Sequence, residues 1–403
     1  MTRRVVAGVM VGMLLAVGGV QGRAQTALPS VSEPSVVVAA PHVPMYHVTD
    51  LGTLSGDTLS EGQAINADGD VTGESHNDDD SVGQAFRYHD GTLTGLGVLN
   101  VGDVSAGLAI NDDGEVAGSS AGAGGLFAVT WTGTTITDIS GGTPSWANGI
   151  NADGDVVGSM QTPDLVAFVD DGGPLVDLNT EVTGGATTMT LVNALAINDS
   201  GEVVGGGETG GSMHAYLFDA GTVTDLGTPG DKAGDTSVAT AINAAGHVVG
   251  WTEGTVDGAF YWDGSMHVIS VPTGPSGDSA NGINDADWVV GQHGISTGTR
   301  AFVWPGAGSA IDLNTRVLDL PAGWKLTGAN AINDSGQITG VASNADATVH
   351  HAVLLTPAAV TRLSGPTRFQ TAAAISAHTF PVPGSADVAY IANAFNFPDA
   401  LGG

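Results

Sequence analysis

The segment Ala196-Ile197-Asn198-Asp199-Ser200-Gly201-Glu202-Val203-Val204-Gly205 decides how this chain folds, because close copies of it recur along the sequence. Each copy contains Ala-Ile-Asn or Gly-Ile-Asn, two variable residues, usually Gly, one further residue, two small or branched residues and Gly. The copies lie 40 to 49 residues apart, and their Asn residues are Asn66, Asn111, Asn151, Asn198, Asn243, Asn284 and Asn333. Repetition at this period indicates an array of similar supersecondary units.

Each unit contains further short apolar runs after the repeated segment. In the fourth copy these are Ala215-Tyr216-Leu217-Phe218 and, after a Gly turn, Val223-Thr224-Asp225-Leu226. Short runs of β-branched and aromatic residues separated by Gly and Asp are typical of strands, and none is long enough for an amphipathic helix. Four antiparallel strands in about 45 residues is the size of a propeller blade. A parallel β-helix is the competing architecture, but its rungs are shorter and more regular.

The Asn-x-x-Gly between the first two runs predicts a tight hairpin turn, in which Asn and Gly are expected because they tolerate positive φ. The sixth copy has Asp287 in place of Gly, a weaker but acceptable choice. The first run is built from small residues around one Ile, which suits the strand nearest a propeller axis. The aromatic residues of the third run are expected farther from the axis.

The two ends of the repeat array complement each other. The seventh copy has no fourth run, because Pro357 follows its third run, whereas the similar run Tyr46-His47-Val48-Thr49-Asp50-Leu51 precedes the first copy. The sequence therefore predicts an all-β, seven-bladed β-propeller of four-stranded antiparallel blades over residues 45–357, closed by an N-terminal strand. Closure would remove exposed sheet edges.

Residues 1–24 have the order of a secretory signal peptide. Arg3 and Arg4 precede an apolar stretch, and Gly22-Arg23-Ala24 offers small residues for cleavage after Ala24. The apolar stretch is short for a membrane span, which favours a cleaved signal peptide over the alternative, an uncleaved membrane anchor. No later stretch predicts a membrane span. Residues 25–44 contain four Pro residues among Ser and Val and predict an extended linker.

Charge and composition exclude several classes of function. The chain has 10 Lys and Arg residues against 42 Asp and Glu residues, a formal net charge of −32. Nucleic-acid binding and a polybasic membrane patch both need clustered cations, so neither is expected. The absence of Cys excludes disulfides, thiolate zinc sites and a cysteine nucleophile. No Walker loop, Ser-x-x-Lys or His-Glu-x-x-His motif is present.

The repeats resemble HAF repeats of bacterial extracellular proteins. The matching phrases are Ala196 to Gly205, His214-Ala215-Tyr216-Leu217 and Thr224-Asp225-Leu226-Gly227, and the segment from Trp324 to Pro357 resembles the usual end of such an array. The resemblance covers about three quarters of the chain. It implies an exported module and assigns no chemistry and no ligand to the propeller.

Residues 358–403 differ from the repeats in their sequence pattern and resemble the start of a cell wall-binding repeat of type 2. By pattern alone, residues 371–377 predict a short helix and residues 387–392 a buried strand, the beginning of an α/β unit. The resemblance rests on Arg-x-Ser-Gly-x-x-Arg-x-x-Thr-Ala from Arg362 and on Phe-Pro-Asp-Ala-Leu from Phe397. It implies attachment to an anionic wall polymer of a Gram-positive-type bacterium. Only part of one repeat is present, so we expect the sequence to be a fragment.

The resemblance places the polymer-binding residues at Arg362, Ser364, Gly365, Arg368 and Asp399. Arg forms bidentate pairs with phosphate and carboxylate groups, which suits an anionic polymer. The alternative is that Arg362 and Arg368 pair with Asp387 or Asp399 inside the α/β unit.

Calcium is the one metal for which the repeats offer a partial signal. The runs Asn66 to Asp70 and Asn151 to Asp155 resemble part of a calcium loop, although full loops add a bidentate Glu. Turn chemistry explains the same pattern without a metal, so no cofactor is expected. Side chains of His350 and His351 lie on opposite faces of a predicted strand, so the two are not expected to chelate one ion.

Three functions are compatible with these observations. The first is a non-enzymatic surface protein whose propeller binds or displays a ligand and whose C-terminal module holds it to the cell wall. The second is an exported hydrolase or lyase with a carboxylate site in the propeller channel. The third is a modifier of a peptidoglycan amidase. Paired carboxylates at the channel mouth would favour the enzyme.

Overall fold

The computed structural model describes residues 43–77, 83–100, 104–230, 232–271, 277–296 and 298–359. The signal peptide, most of the linker and nearly all of the wall-binding segment lie outside these ranges. Within them, no helix has the length and hydrophobicity needed to cross a membrane.

The strands form seven sheets, and they are numbered along the chain. The first strand is β1 (Tyr46–Gly52). Blade 1 consists of β2 (Leu59–Ile65), β3 (Val71–His76), β4 (Gly83–His89) and β5 (Thr92–Gly95). Blade 2 consists of β6 (Ser105–Ile110), β7 (Val116–Gly122), β8 (Gly125–Thr132) and β9 (Thr135–Asp138). Blade 3 consists of β10 (Ser145–Ile150), β11 (Val156–Thr162), β12 (Asp164–Asp170) and β13 (Val176–Asp177).

The remaining four blades follow the same order. Blade 4 consists of β14 (Gly184–Gly185), β15 (Thr190–Ile197), β16 (Val203–Thr209), β17 (Ser212–Asp219) and β18 (Thr222–Gly227). Blade 5 consists of β19 (Thr236–Ile242), β20 (Val248–Glu253), β21 (Gly258–Trp262) and β22 (Met266–Val268). Blade 6 consists of β23 (Ser279–Ile283), β24 (Val289–Ile295), β25 (Gly298–Trp304) and β26 (Ile311–Asp312). Blade 7 consists of β27 (Lys325–Ile332), β28 (Ile338–Ser343), β29 (His350–Pro357) and β1.

The sheets are arranged as a closed ring, which confirms the predicted seven-bladed propeller. The first strand of each repeat contacts the first strands of both neighbouring blades, and β27 of the last blade contacts β2 of the first. Every blade is a four-stranded antiparallel sheet, with β14 added in parallel to the outer edge of blade 4. The Ile-centred strands therefore lie nearest the axis, as their small residues predict.

Strand β1 completes blade 7, as predicted. It pairs antiparallel with β29, from Tyr46 opposite Pro357 to Gly52 opposite Ala352. Tyr46 is fully buried. Its backbone N–H donates to the carbonyl of Arg316, and its carbonyl accepts from the N–H of Leu318. Strand β1 is thus held on one edge by β29 and, at Tyr46, on the other edge by the segment that connects blade 6 to blade 7. Val43, at the end of the predicted linker, is buried in the same core cluster.

The two longest repeats contain a short 3₁₀ helix after their last strand. These helices are η1 (Leu178–Glu181) and η2 (Leu313–Thr315), capped by the side chains of Asp177 and Asp312. Asn179 then accepts from the N–H of Leu191 and donates to its carbonyl, and Asn314 does the same with Leu326. The extra residues of these repeats thereby fix where the next inner strand begins.

Each inner strand carries a β-bulge two residues before its Ile. The unpaired residues are Gln63, Leu108, Asn148, Leu195, Thr240, Asn281 and Asn330. A bulge turns the extra side chain out of the ladder. Four of these side chains donate to a backbone carbonyl of the next blade: Asn148 to Ala194, Thr240 to Ala280, Asn281 to Ala329 and Asn330 to Gly62. The bulges therefore help to join blade to blade around the axis.

The core lies between the blades. Aromatic residues of the third strands are fully buried, among them Phe86, Trp131, Phe168, Tyr216, Phe260 and Phe302. Each core cluster draws residues from neighbouring blades, as when Phe260 of blade 5 packs with Val204 and Ala215 of blade 4. The hydrophobic stabilisation thus comes from pairing blades rather than from any one sheet.

Candidate functional site at the mouth of the central channel

The repeated Asn organises the turn between the first two strands of each blade. In blade 2 the Oδ1 atom of Asn111 accepts from the N–H of Glu115 at 2.9 Å. The backbone of Asn111 bonds with Glu115 and Gly114 at 3.0 Å. The fourth residue of the turn has a positive φ, which is 76° at Gly114 and 59° at Asp287, the residue that replaces Gly in the sixth copy. The prediction of positive φ is confirmed for the turn Gly residues and for Asp287. It is wrong for the repeated Asn, whose role in the turn is to form hydrogen bonds through its side chain.

The side-chain amides of these Asn residues link the blades in a circle, which we call the asparagine ring. Each Nδ2 donates to the backbone carbonyl of the corresponding Asn in the next blade, at 2.9 to 3.2 Å. The residues are buried, with exposures of 3 to 7%. Asn151 is the exception, since its amide donates to Asp155 within its own blade. The last link runs from Asn333 to Asn66, and so joins the two ends of the repeat array.

A second circle of contacts lies one residue later, where four repeats have Asp and three have Ala. Oδ1 of each Asp accepts a hydrogen bond, at 2.8 to 2.9 Å, from the backbone N–H of the residue at the same position in the preceding blade. The bonds run from Ala67 to Asp112, from Ala152 to Asp199, from Ala244 to Asp285 and from Asp285 to Asp334. All four Asp residues are exposed. We call these four residues the carboxylate rim.

The rim surrounds a cavity of about 280 Å³ on the propeller axis. Its wall is formed by the Asn residues of all seven turns and the Ala or Asp residues that follow them, together with the Ile residues of every blade except blade 4. Six of the Asn amides donate to the neighbouring blade and that of Asn151 donates to Asp155, and one oxygen of each rim carboxylate also accepts a hydrogen bond. The mouth is therefore a rigid, acidic cup, which suits a protruding cationic or hydroxyl-rich group better than a large apolar ligand.

The asparagine ring predicts a measurable difference between two similar residues. Asn111→Ala should lower the free energy of unfolding by about 2 to 3 kcal/mol, since it removes a turn acceptor and a bond to the buried carbonyl of Asn151. Asn151→Ala removes a matching turn acceptor but no bond between blades, so its cost should be smaller by about 1 kcal/mol. Urea titration of both variants measures the difference, and equal costs would show that the amide link between blades contributes nothing.

The segments that resemble calcium loops use their carboxylates in protein contacts. Asp70 accepts from Nε of Arg87 at 3.2 Å and contacts Nδ1 of His89 at 2.7 Å. Asp155 accepts from the amide of Asn151 at 3.0 Å. A calcium ion would have to displace these partners.

Blade 5 brings a Ser, a His and an Asp together without the geometry of a catalytic triad. The Oγ atom of Ser265 and Oδ1 of Asp263 both lie 3.0 Å from the same atom, Nε2 of His267. A triad needs the two ring nitrogens for two different partners. The contact with His267 lowers the pKa of Asp263, which is the ordinary effect of a donor on an exposed carboxylate.

The neighbouring Tyr261 is part of a contact between blades 5 and 6. Its hydroxyl lies 3.0 Å from Nδ1 of His247, and the same nitrogen lies 2.7 Å from Oδ1 of Asp287. Burial and the nearby Asp287 and Asp263 carboxylates raise the pKa of Tyr261 to about 12, so it stays protonated at neutral pH. Asp287 also accepts from Asn243. The residue that replaces Gly in copy six thus gains contacts that a Gly could not make.

The predicted wall-polymer residues Arg362, Ser364, Gly365, Arg368 and Asp399 lie outside the described residues, as does Asp387. The residues of the asparagine ring and carboxylate rim were visible in the sequence only as turn formers. Their spacing contained the signal, because a side chain repeated once per blade must meet its own equivalents around the axis.

No family model and no curated protein matches the chain. Solved structures similar to it include an extracellular domain attributed to a hybrid two-component system of B. thetaiotaomicron, which is 10% identical over 79% of this chain with a TM-score of 0.47. This chain spans 40% of that structure. YCF48 bound to D1 peptide is 12% identical over 81% of this chain and 99% of its own, with a TM-score of 0.42. TolB from Acinetobacter baumannii is 12% identical over 62% of this chain and 65% of its own, with a TM-score of 0.35. At this level of similarity no functional property passes to this chain.

Proposed function

We propose that this chain is an exported binding and display protein without catalytic activity, whose propeller presents the channel mouth to a ligand and whose C-terminal segment holds it to an anionic polymer of the cell wall. The observation that carries the binding role is the carboxylate rim. Each of its carboxylates is fixed by a backbone N–H of the neighbouring blade, at 2.8 to 2.9 Å. A rim fixed in this way is pre-organised for recognition, because little side-chain entropy remains to be lost on binding.

A hydrolase is the second candidate, because four carboxylates line one cavity. Glycoside hydrolysis needs one carboxyl group that carries a proton and donates it to the leaving group. The rim residues are all exposed and each accepts a backbone N–H in the same way, so their geometry does not single out one carboxyl group as a general acid. This arrangement favours binding over catalysis.

The export and tether parts of the proposal come from the sequence of both ends of the chain. The signal-peptide pattern of residues 1–24 supports export, and the resemblance of residues 358–403 to a wall-binding repeat supports attachment. The acidic net charge opposes nonspecific adsorption to an anionic wall, so retention there would require specific contacts.

The tether is tested with the full chain and purified Gram-positive cell walls, with and without their anionic polymers. We expect retention on complete walls and its loss after polymer removal. The double variant Arg362→Ala/Arg368→Ala should lower retention about tenfold or more, since each charge-assisted contact is strong. Arg300→Ala is the matched control, because Arg300 contacts Asp312 within blade 6. Retention that does not depend on the polymer would refute the tether.

The same wall preparation separates display from hydrolysis. We expect no soluble reducing sugar above the buffer level after incubation with the protein. Release of sugar that disappears in Asp199→Asn/Asp285→Asn would support the hydrolase instead.

A further inference from the structure

Three side chains that are suited to bind a transition metal converge where blade 7 meets blade 1. They are Glu61 on β2, His76 at the end of β3 and His350 at the start of β29, and one donor atom of each lies within 4.8 Å of the other two. All three are partly buried. This cluster lies at the opposite ends of the strands from the asparagine ring, so it is separate from the channel mouth.

The topology of the propeller explains why residues so far apart in the sequence meet here. His76 pairs with Leu59 across blade 1, which places it beside the start of β2. His350 begins the third strand of blade 7, which packs against β2 of blade 1. Ala352 N–H donates to Oγ of Ser60 at 2.9 Å and fixes the two strands side by side. The alternation of strand residues then directs His350 toward Glu61 and His351 toward Asp50.

The distances between the donor atoms of these three side chains are close to those between the ligands of a bound metal ion. Nε2 of His350 lies 3.4 Å from Oε1 of Glu61. Two ligands at about 2.0 to 2.1 Å from a tetrahedral zinc ion are about 3.4 Å apart. The rings of His76 and His350 have their centroids 5.7 Å apart and are tilted by 49°. Only a small movement of His76 would therefore bring all three donors onto one ion.

Outer hydrogen bonds orient two of the three side chains. Nδ1 of His76 lies 3.1 Å from the carbonyl oxygen of Asn77, which can only accept, so this nitrogen carries the proton. In that tautomer, Nε2 is the nitrogen with the lone pair that could bind a metal. Oε2 of Glu61 accepts from the amide of Gln63 at 3.3 Å, which leaves Oε1 toward His350. Hydrogen bonds made by the ligand atoms that face away from the metal fix the tautomer and orientation of metal ligands.

We propose that Glu61, His76 and His350 bind one divalent transition-metal ion, with Zn²⁺ the best match. Two imidazole nitrogens and one carboxylate oxygen suit Zn²⁺, whereas Ca²⁺ and Mg²⁺ prefer oxygen donors alone. Three protein ligands leave a coordination position for water or for a ligand. Two surface cavities of about 380 Å³ each meet at Glu61, one bordered by His350 and the other by His76, and they give the ion access to the site.

The ion would connect the last blade to the first. Glu61 and His76 belong to blade 1 and His350 belongs to blade 7. Coordination would therefore stabilise the seam between blades 7 and 1, which is the interface that β1 and the Asn333 amide also close. Because the ion binds the folded seam and not the unfolded chain, it should raise the melting temperature. This inference is independent of the wall tether and of the channel mouth.

The test is titration of metal-free protein with ZnCl₂, followed by calorimetry and thermal unfolding. We expect one site per chain and, at about a hundredfold excess over the dissociation constant, a rise in Tm of about 4 °C. Glu61→Gln, His76→Ala and His350→Ala should each weaken binding about a hundredfold and remove the rise in Tm. His351→Ala is the matched control: it removes the neighbouring His of the same strand and should leave Zn²⁺ binding unchanged.

CoCl₂ provides a readout that does not depend on stability. The d–d absorption bands of bound Co²⁺ should appear in the wild-type protein and in His351→Ala, and should be lost in His76→Ala/His350→Ala. The proposal is overturned if the wild type binds no Zn²⁺. It is also overturned if the folded double variant keeps the site, or if His351→Ala removes binding as completely as His350→Ala does.

Discussion

Removal of residues 1–52, and with them strand β1, should destroy the cooperative unfolding of the propeller and lower its Tm by more than 10 °C. The loss would expose the edge of β29 from Ala352 to Pro357, because β1 is the only partner on that side in the described sheet. It would also open the buried position of Tyr46, which packs in the core cluster between blades 6 and 7. An exposed strand edge of this kind invites aggregation.

The matched control removes residues 1–42 and keeps both Val43 and β1. It should unfold within about 2 °C of the full chain, since it retains every described residue of this core cluster. Scanning calorimetry and size-exclusion chromatography measure both variants. An unchanged transition after removal of residues 1–52 would mean that the seam between blade 7 and blade 1 does not depend on β1.

Substitutions at Tyr46 resolve this prediction to a single side chain. Tyr46→Ala should cost about 3 to 5 kcal/mol, the usual effect of truncating a fully buried aromatic ring. Burial raises the pKa of the phenol, and the hydroxyl has no hydrogen-bond partner among the described residues. Tyr46→Phe should therefore be neutral or slightly stabilising, because it removes a polar group that is buried without compensation. A large cost for Tyr46→Phe would reveal a partner for the hydroxyl.

The number of blades and the closure of the ring could be predicted because both depend on order along the chain. Seven copies of one phrase specify seven similar sheets, and the missing fourth run after Ala352-Val353-Leu354-Leu355 has a counterpart in Tyr46 to Leu51. These are statements about local pattern and about the matching of two ends. Neither requires knowledge of which side chains meet in space.

Contacts between blades could not be predicted in the same way. Asn333 and Asn66 stand at opposite ends of the array, and the amide link between them exists only because the ring closes. The cluster of Glu61, His76 and His350 has the same origin, since the sequence shows three unrelated residues and the seam brings them together. His350 and His351 face opposite ways, as predicted, but nothing in their alternation along the strand indicates partners from another blade.

The last Gly of the repeated phrase has a steric reason that pattern reasoning missed. A Cβ atom at Gly250 would lie 2.0 Å from the carbonyl oxygen of Val238 and 2.8 Å from Cε1 of Phe260. The inner strand brings this carbonyl close because its bulge begins one residue later, between Ala239 and Ala241. The corresponding Gly of every other blade has the same conflict at 1.8 to 2.2 Å; these are Gly73, Gly118, Gly158, Gly205, Gly291 and Gly340. The recurring Gly is thus a requirement of the bulge.

Gly250→Ala should therefore lower the free energy of unfolding by about 3 kcal/mol or more, since the new methyl group meets backbone and a packed ring, and neither can move without disturbing the bulge. Gly328→Ala is the matched control: it also lies in a buried strand, but its Cβ would make only ordinary contacts at 3.6 Å. That variant should stay within about 0.5 kcal/mol of the wild type. Urea titration measures both. If Gly250→Ala lowered the free energy of unfolding no more than Gly328→Ala does, the inner strands would be free to shift. The bulges would then not be responsible for positioning Asn281 and Asn330 against the neighbouring blades.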